Sequence, residues 1–284
     1  FVDHRDLHLS LRLQLQMCIR DRINKVDTGI GIPAHLITDC TGRFLLTAYY
    51  GDGGVTVHRL GADGTIEELV QYIDTGEKAH AIHAVDEDRF VFVPHVCPTN
   101  KTCQFRFDSE SGLLTPNDPA ELEPPDDETG PRHICFRPQG DVAYIVNEQG
   151  NMVTAHRYEP ESGTLEIFQN ISTLPSNYTE GGATAHVEVH PNGKWVYATN
   201  RGHDSIVGFN IDPVGELSPF GHFSVPASPR SFNIDPTGQY LYCAGEGANM
   251  MTSYGINVTT GELVALQDYE VGQQPFWVMV TGLD

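Results

Sequence analysis

A repeated pair of glycine turns is the feature of this 284-residue chain that most restricts its fold. The first turn of each repeat has the form Pro-x-Gly at 138–140, 191–193 and 236–238, and weaker copies lie at 40–42 and 87–88. A second glycine follows 22 to 24 residues later in every repeat, at Gly64, Gly112, Gly163, Gly215 and Gly261. Random placement of 28 glycines would not give this spacing five times, so the repeat is real.

Each first turn is followed by an apolar run and then by a segment that alternates with the two-residue period of a half-buried strand. The apolar runs are 43–48, 89–93, 142–146, 195–199 and 240–244. The alternating segments are 55–60, 104–107, 153–158, 206–211 and 251–256. First turns recur about every 45 or 53 residues, the length of one four-stranded antiparallel sheet. No long stretch has the helical period that an α/β fold needs for its crossovers, so we predict an all-β fold, a β-propeller of four-stranded antiparallel blades.

The repeats divide the chain into a leader and a propeller domain. Predicted blades begin near Pro33, Lys78, Pro131, Thr184 and Pro229. Residues 275–280 resemble the first strand of a sixth blade, so five to six blades are represented. We expect residues 1–28 to be an atypical leader, with a possible outer strand at 9–16, and residues 29–284 to be an N-terminally incomplete propeller. Whether this ring closes is left open.

Charge and composition exclude several classes of partner. The 17 Lys and Arg against 38 Asp and Glu give a formal net charge of −21, which repels nucleic acid and anionic lipid surfaces. No apolar run approaches the roughly 18 residues of a membrane span, and no secretion signal is evident. We therefore expect a cytoplasmic monomer, without nucleic-acid or membrane partners, that binds a small molecule. Six cysteines are too few for a disulfide scaffold, although Cys97 and Cys103 are close enough in sequence to bridge a loop.

Propeller geometry predicts where polar residues of different blades meet, because first strands line the central channel. Eight residues before the first-turn glycine lie Ala34, His80, Arg132, Ala185 and Arg230, where His80 is the copy in the weaker repeat. Eight residues after it lie Tyr50, Glu148, Arg201 and Glu246, with His95 or Val96 in the weaker repeat. Converging guanidinium groups need carboxylates or a bound anion to balance their charge. An anion site is favoured; the alternative is a set of structural clamps that pair Arg132 with Glu148, and Arg201 with Glu246 or Asp204.

Histidines are also frequent in the predicted first strands, at His35, His80, His83, His133 and His186. A single histidine there is more often a packing residue than a catalyst. No two of them have the close spacing typical of metal ligands, so we expect no metal. His83 precedes an apolar second strand, and both packing and channel exposure are open for it.

Several motifs together resemble the seven-bladed lactonase family, whose members include 6-phosphogluconolactonases and carboxymuconate-lactonizing enzymes. The motifs are Gly130-Pro-Arg-His-Ile, Val146-Asn-Glu, Ala198-Thr-Asn-Arg-Gly-His-Asp-Ser-Ile, Ser228-Pro-Arg-Ser-Phe-Asn-Ile-Asp-Pro-Thr-Gly and Gly272-Gln-Gln-Pro-Phe-Trp-Val. The resemblance extends from about residue 29 to the end. It differs from the family pattern at His186, where many members have an acidic residue, and in the first blades.

The resemblance implies a cofactor-free active site in the channel mouth. Arg132, Glu148 and His83 match the family's arginine, glutamate and histidine and are the predicted catalytic residues. The predicted substrate-binding residues are Arg201, Arg230, His133 and His186.

The chemistry expected of such a site is hydrolysis of an anionic sugar-acid lactone. The expected substrate is 6-phosphogluconolactone. His83 or Glu148 would take a proton from water, and Arg132 would stabilise the carbonyl oxygen. Arg201 and Arg230 would bind the substrate's phosphate or carboxylate. A carboxymuconate-type cycloisomerase and a non-catalytic binding scaffold are the alternatives.

Overall fold

The computed structural model describes residues 22–282, which form twenty strands in five four-stranded antiparallel sheets. In chain order the strands are β1 (Pro33–Thr38), β2 (Phe44–Tyr49), β3 (Val55–Leu60), β4 (Ile66–Ile73), β5 (His83–Val85), β6 (Phe90–His95), β7 (Lys101–Asp108), β8 (Leu113–Leu122), β9 (Pro131–Phe136), β10 (Val142–Asn147), β11 (Met152–Glu159), β12 (Thr164–Ser172), β13 (Ala183–Val189), β14 (Trp195–Arg201), β15 (Ser205–Ile211), β16 (Leu217–Ser224), β17 (Pro229–Ile234), β18 (Tyr240–Gly245), β19 (Met250–Ile256) and β20 (Leu263–Glu270). Each sheet contains four consecutive strands, which confirms the predicted all-β fold of four-stranded antiparallel blades. A membrane-spanning helix is not found among these residues.

In four of the five repeats, the second glycine is required by close packing between sheets. Gly163, in the third sheet, lies against the Phe90 ring of the second, where an added Cβ would overlap the ring. The same relation joins Gly261 of the fifth sheet to Trp195 of the fourth. Both glycines also have positive φ, +69° and +77°, which disfavours any other residue. The regular spacing of these glycines therefore results from the close contact between consecutive blades.

Apolar side chains fill the space between each pair of consecutive sheets. Four clusters of buried residues do this, the first between sheets one and two and the last between sheets four and five. The second strands supply much of each cluster, because they are buried on both faces; β6 and β10 are buried along their full length. In addition, β13 contacts both β9 and β17. This arrangement brings the first strands of successive sheets together around one axis.

The C-terminal segment, residues 275–280, occupies the place of a sixth first strand. The Ile234 amide of β17 donates to the Glu188 carboxylate of β13 at 2.9 Å. Val280, 46 residues after Ile234, donates its amide to Asn233 Oδ1 of β17 at 2.7 Å. The same sheet-to-sheet hydrogen bond is thus repeated. The prediction of a strand is nevertheless wrong in one respect, because the segment pairs with no other strand within residues 22–282 and is not a β-strand.

Some boundaries and pairings differ from the sequence expectation. The second sheet begins with the short β5, preceded by a single bridge between Ala79 and His95. Cys97 and Cys103 are both free thiols, so the disulfide alternative is wrong. The possible strand at 9–16 lies outside the described residues, and the division at residue 28 stays a prediction.

Candidate active site

Arg132, Glu148 and Arg201 come together although they lie on two different sheets. Arg132 is on β9, Glu148 follows β10 of the same sheet, and Arg201 ends β14 of the next. Arg132 Nε and Arg201 Nη2 lie 2.7 and 2.8 Å from the same Glu148 oxygen, Oε2. One carboxylate therefore holds two guanidinium groups at the channel, which is the convergence that the repeat spacing predicts.

Burial sets the protonation of Arg132. Its side chain is only 2% exposed, and it donates to the Ala185 carbonyl of the neighbouring first strand. Desolvation, together with the charges of Arg201 and Arg230 and against the opposing effect of Glu148, lowers the pKa of Arg132 to about 9. The guanidinium still carries its charge at pH 7, and it lies within electrostatic range of two more cations.

Arg230 has a separate partner in the fifth sheet. Its Nη1 lies 3.0 Å from Glu246 Oε2, and its guanidinium lies 5.0 Å from the centroid of the Phe276 ring. The pairing of Arg132 with Glu148 that the clamp alternative required is present. Its second pairing is wrong, because Arg201 binds Glu148 and not Glu246 or Asp204.

His133 and His186 continue the network into the channel. Arg132 Nη1 donates to His133 Nε2 at 3.3 Å, so the proton of His133 is on Nδ1, which donates to His186 Nδ1 at 2.6 Å. His186 Nε2 then donates to Glu188 Oε1 at 3.0 Å. Both histidines are thus used to position Arg132. Their predicted role in substrate binding stays a prediction.

A cavity of about 600 Å³ lies beside this network. Its polar wall contains His80, Arg132, His133 and Arg230, and its aromatic wall contains Phe276 and Trp277. The other lining residues come mainly from β1. The first, third and fifth sheets and the C-terminal segment therefore face one volume, as first strands around a propeller axis should.

His80, which the sequence prediction did not select as catalytic, lies in this wall, and His83 does not. The His80 ring is 5.2 Å from the His133 ring, and burial, reinforced by the Arg132 charge, lowers the pKa of His80 well below 6.5. His83 instead stacks on Phe136 at 5.5 Å, and burial lowers the pKa of His83 to about 4. The signal for His80 was present in the sequence, since it occupies the repeat position of Arg132 and Arg230. The choice of His83 followed the family resemblance instead.

The five sequential sheets and their shared polar cavity define the class of this protein as a β-propeller with an axial cavity rich in arginine. The family described as "Lactonase, 7-bladed beta-propeller" matches residues 18–280. The chain belongs to this seven-bladed lactonase family, as its motifs indicated.

Relatives with known names agree with this placement. The chain is 34% identical over 255 residues to a 6-phosphogluconolactonase of Pectobacterium carotovorum, a match that covers 89% of this chain and 76% of the relative. It is also 34% identical to the 6-phosphogluconolactonase of Cronobacter sakazakii over 89% of the chain and 75% of the relative. Among solved structures, a periplasmic gluconolactonase of Pseudomonas aeruginosa superposes with a TM-score of 0.78 at 25% identity, covering 85% of this chain and 71% of that one.

Proposed function

We propose that this protein hydrolyses the lactone of a phosphorylated sugar acid, with 6-phosphogluconolactone as the principal substrate. The observation that carries the proposal is the cavity itself, which has Arg132 and Arg230 in its wall beside a buried, neutral imidazole. The names of the relatives, 6-phosphogluconolactonase and gluconolactonase, support hydrolysis of a sugar-acid lactone rather than cyclisation of a muconate or a purely structural role.

The reaction needs a water made nucleophilic by a base and a cation where the oxyanion forms. His80 is the proposed base, because its imidazole lies in the cavity wall beside Arg132 and its lowered pKa leaves it unprotonated at pH 7. The water oxygen adds to the lactone carbonyl carbon while His80 takes a proton. The ring C–O bond then breaks, and the proton passes to the departing alkoxide, so that an open-chain hydroxy acid is released.

Arg132 is suited to stabilise the developing oxyanion. Its guanidinium is fixed by Glu148, by the Ala185 carbonyl and by His133, so little reorganisation is needed when charge appears. Glu148 binds two arginines through one oxygen, which favours an anchoring role over the role of base that the sequence also allowed. Arg230 lies in the cavity wall, where it is available to an anionic group of the substrate.

The test is acid release measured in a pH-stat with 6-phosphogluconolactone, gluconolactone and carboxymuconolactone, with spontaneous opening subtracted. We expect protein-dependent hydrolysis that is fastest with the phosphorylated lactone. Equal rates with and without protein for all three compounds would refute the proposed function. Activity confined to carboxymuconolactone would favour the cycloisomerase alternative.

A further inference from the structure

Lys78 lies at a repeated position, two residues before the cavity-lining His80, where three other sheets have neutral residues. Its carbonyl accepts the amide of Val96 at 3.2 Å. The same hydrogen bond joins Tyr50 to Ile32, Glu148 to Gly130 and Glu246 to Ser228. Tyr50, Glu148 and Glu246 are therefore level with Val96 around the axis. The positions equivalent to Lys78 are Ile32, Gly130 and Ser228, and of these four residues only Lys78 carries a charge.

The Lys78 side chain contacts Tyr50, which packs against a residue of the polar wall of the cavity. Its ammonium nitrogen lies 4.3 Å from the centroid of the Tyr50 ring, which holds a cation by its π face. The Tyr50 ring in turn packs edge-on against His80 at 5.6 Å. His80 is itself in the cavity wall with Arg132 and Arg230. One aromatic ring thus connects the lysine to the site.

Lys78 differs from the three arginines in having no carboxylate partner among residues 22–282. Arg132 and Arg201 share Glu148, and Arg230 binds Glu246. Lys78 is therefore the member of this group of four cations that no carboxylate of the described residues pairs with. Glu188, deeper in the channel, is occupied by His186, Asn233 and the Ile234 amide. A phosphoryl group carries about 1.5 to 2 negative charges at pH 7, so it is an anion that an unpaired ammonium group attracts.

We infer that Lys78 is the residue that selects phosphorylated over unphosphorylated lactones, by binding the phosphoryl group at the cavity mouth. This inference rests on the proposed function. An ammonium group on a flexible stem reaches a phosphate as a point charge, whereas the carboxylate-paired arginines are already held in place. Lys78 thus determines the preference for phosphorylated substrates, while His80 and Arg132 act on the lactone group that all substrates share.

The test compares Lys78→Met, which keeps the length of the side chain without its charge, with Lys78→Arg and with the wild type. Lys194→Met is the matched control, because Lys194 is an exposed lysine beside the first turn of the fourth sheet. For K78M we expect kcat/KM for 6-phosphogluconolactone to fall about tenfold or more, mainly through KM, as for loss of a hydrogen bond to a charged group. Gluconolactone hydrolysis should change less than about twofold, K78R should recover most of the activity, and K194M should resemble the wild type.

Binding of the product, measured by calorimetry, separates failure of this inference from failure of the proposed function. The inference fails if the wild type hydrolyses the phosphorylated lactone and K78M loses the same activity on both lactones. It also fails if K78M keeps full activity on both. If the wild type hydrolyses neither lactone, the proposed function fails. The phosphate subsite is then tested only by comparing the affinity for 6-phosphogluconate with the affinity for gluconate. A preference for 6-phosphogluconate that K78M abolishes supports the subsite. If the wild type shows no such preference, or K78M retains it, the subsite is refuted.

Discussion

Replacing Glu148 by Gln removes one negative charge and changes almost nothing in shape, so it isolates the electrostatic role of this residue. The wild-type carboxylate lies 2.7 Å from Arg132 and 2.8 Å from Arg201 through one oxygen. In E148Q the Arg132 guanidinium stays buried, with Arg201 and Arg230 nearby and no anion beside it. The direct effect is therefore on folding stability, and the indirect effect is on the position of Arg132.

The structure sets the size of the loss. Breaking a buried ion pair on one side costs about 3 to 5 kcal/mol. Glu148 is 15% exposed and Arg201 is 16% exposed, so water reaches part of the network and Arg201 can turn towards it. We therefore expect the lower end, about 3 kcal/mol, which corresponds to a fall in Tm of roughly 6 to 9 °C for a domain of this size. Lactonase activity should fall by about a hundredfold, as when an oxyanion-stabilising group is lost.

The assay is scanning calorimetry at pH 7 together with kcat/KM on folded protein well below its Tm. Glu110→Gln is the matched control, because Glu110 pairs with Arg43 on the surface with side-chain exposures of 84% and 42%. That variant should lose no more than about 0.5 kcal/mol and no activity. If E148Q unfolds at the same temperature as E110Q and hydrolyses lactone like the wild type, the arginines do not depend on Glu148 and the proposed site is wrong.

Three further predictions test the histidines and the glycine contacts. His80→Gln should lower kcat about a hundredfold or more and His83→Gln less than about threefold, because only His80 faces the cavity; the reverse order would restore the catalytic role predicted for His83. The free energy of unfolding should fall as the pH drops from 6.5 towards 4, because the pKa of His83 is about 4 in the folded protein and the unfolded chain takes up the proton first. Each such histidine contributes up to about 1.4 kcal/mol per pH unit. A melting temperature that does not change over this pH range would contradict the assigned burial. Gly163→Ala should destabilise by about 2 kcal/mol more than Gly140→Ala, because both glycines have φ near +70° but only Gly163 faces the Phe90 ring; equal melting temperatures would refute the packing account.

The fold was predictable because its sequence signal has a steric cause. A glycine such as Gly163 recurs at fixed spacing since the ring of a preceding sheet occupies the space that a Cβ would fill. Counting along the repeat also identified the channel positions of Arg132 and Arg230, because the same position of each first strand faces the central channel. These features depend on geometry that is repeated within each blade, and so they can be read from one chain.

Contacts between side chains of different blades were harder to predict from the sequence. The partner of Arg201 is Glu148 of the preceding sheet, a choice that depends on the angle between two sheets and on which rotamers meet. His80 and His83 are three residues apart, so they face different sides of the chain, and β5 is too short to indicate which side faces the axis. The repeat position favoured His80, whereas the motif match favoured His83, and only the folded arrangement distinguishes them.

The attachment of residues 275–280 links ligand binding to the C-terminal end of the chain. This segment is joined to β17 through the side chains of Ser231 and Asn233, which accept the amides of Val278 and Val280. It also supplies Trp277 to the cavity wall. A molecule that occupies the cavity against Trp277 therefore stabilises the docked segment by mass action, and a change at Asn233 that weakens docking should lower affinity without touching the ligand.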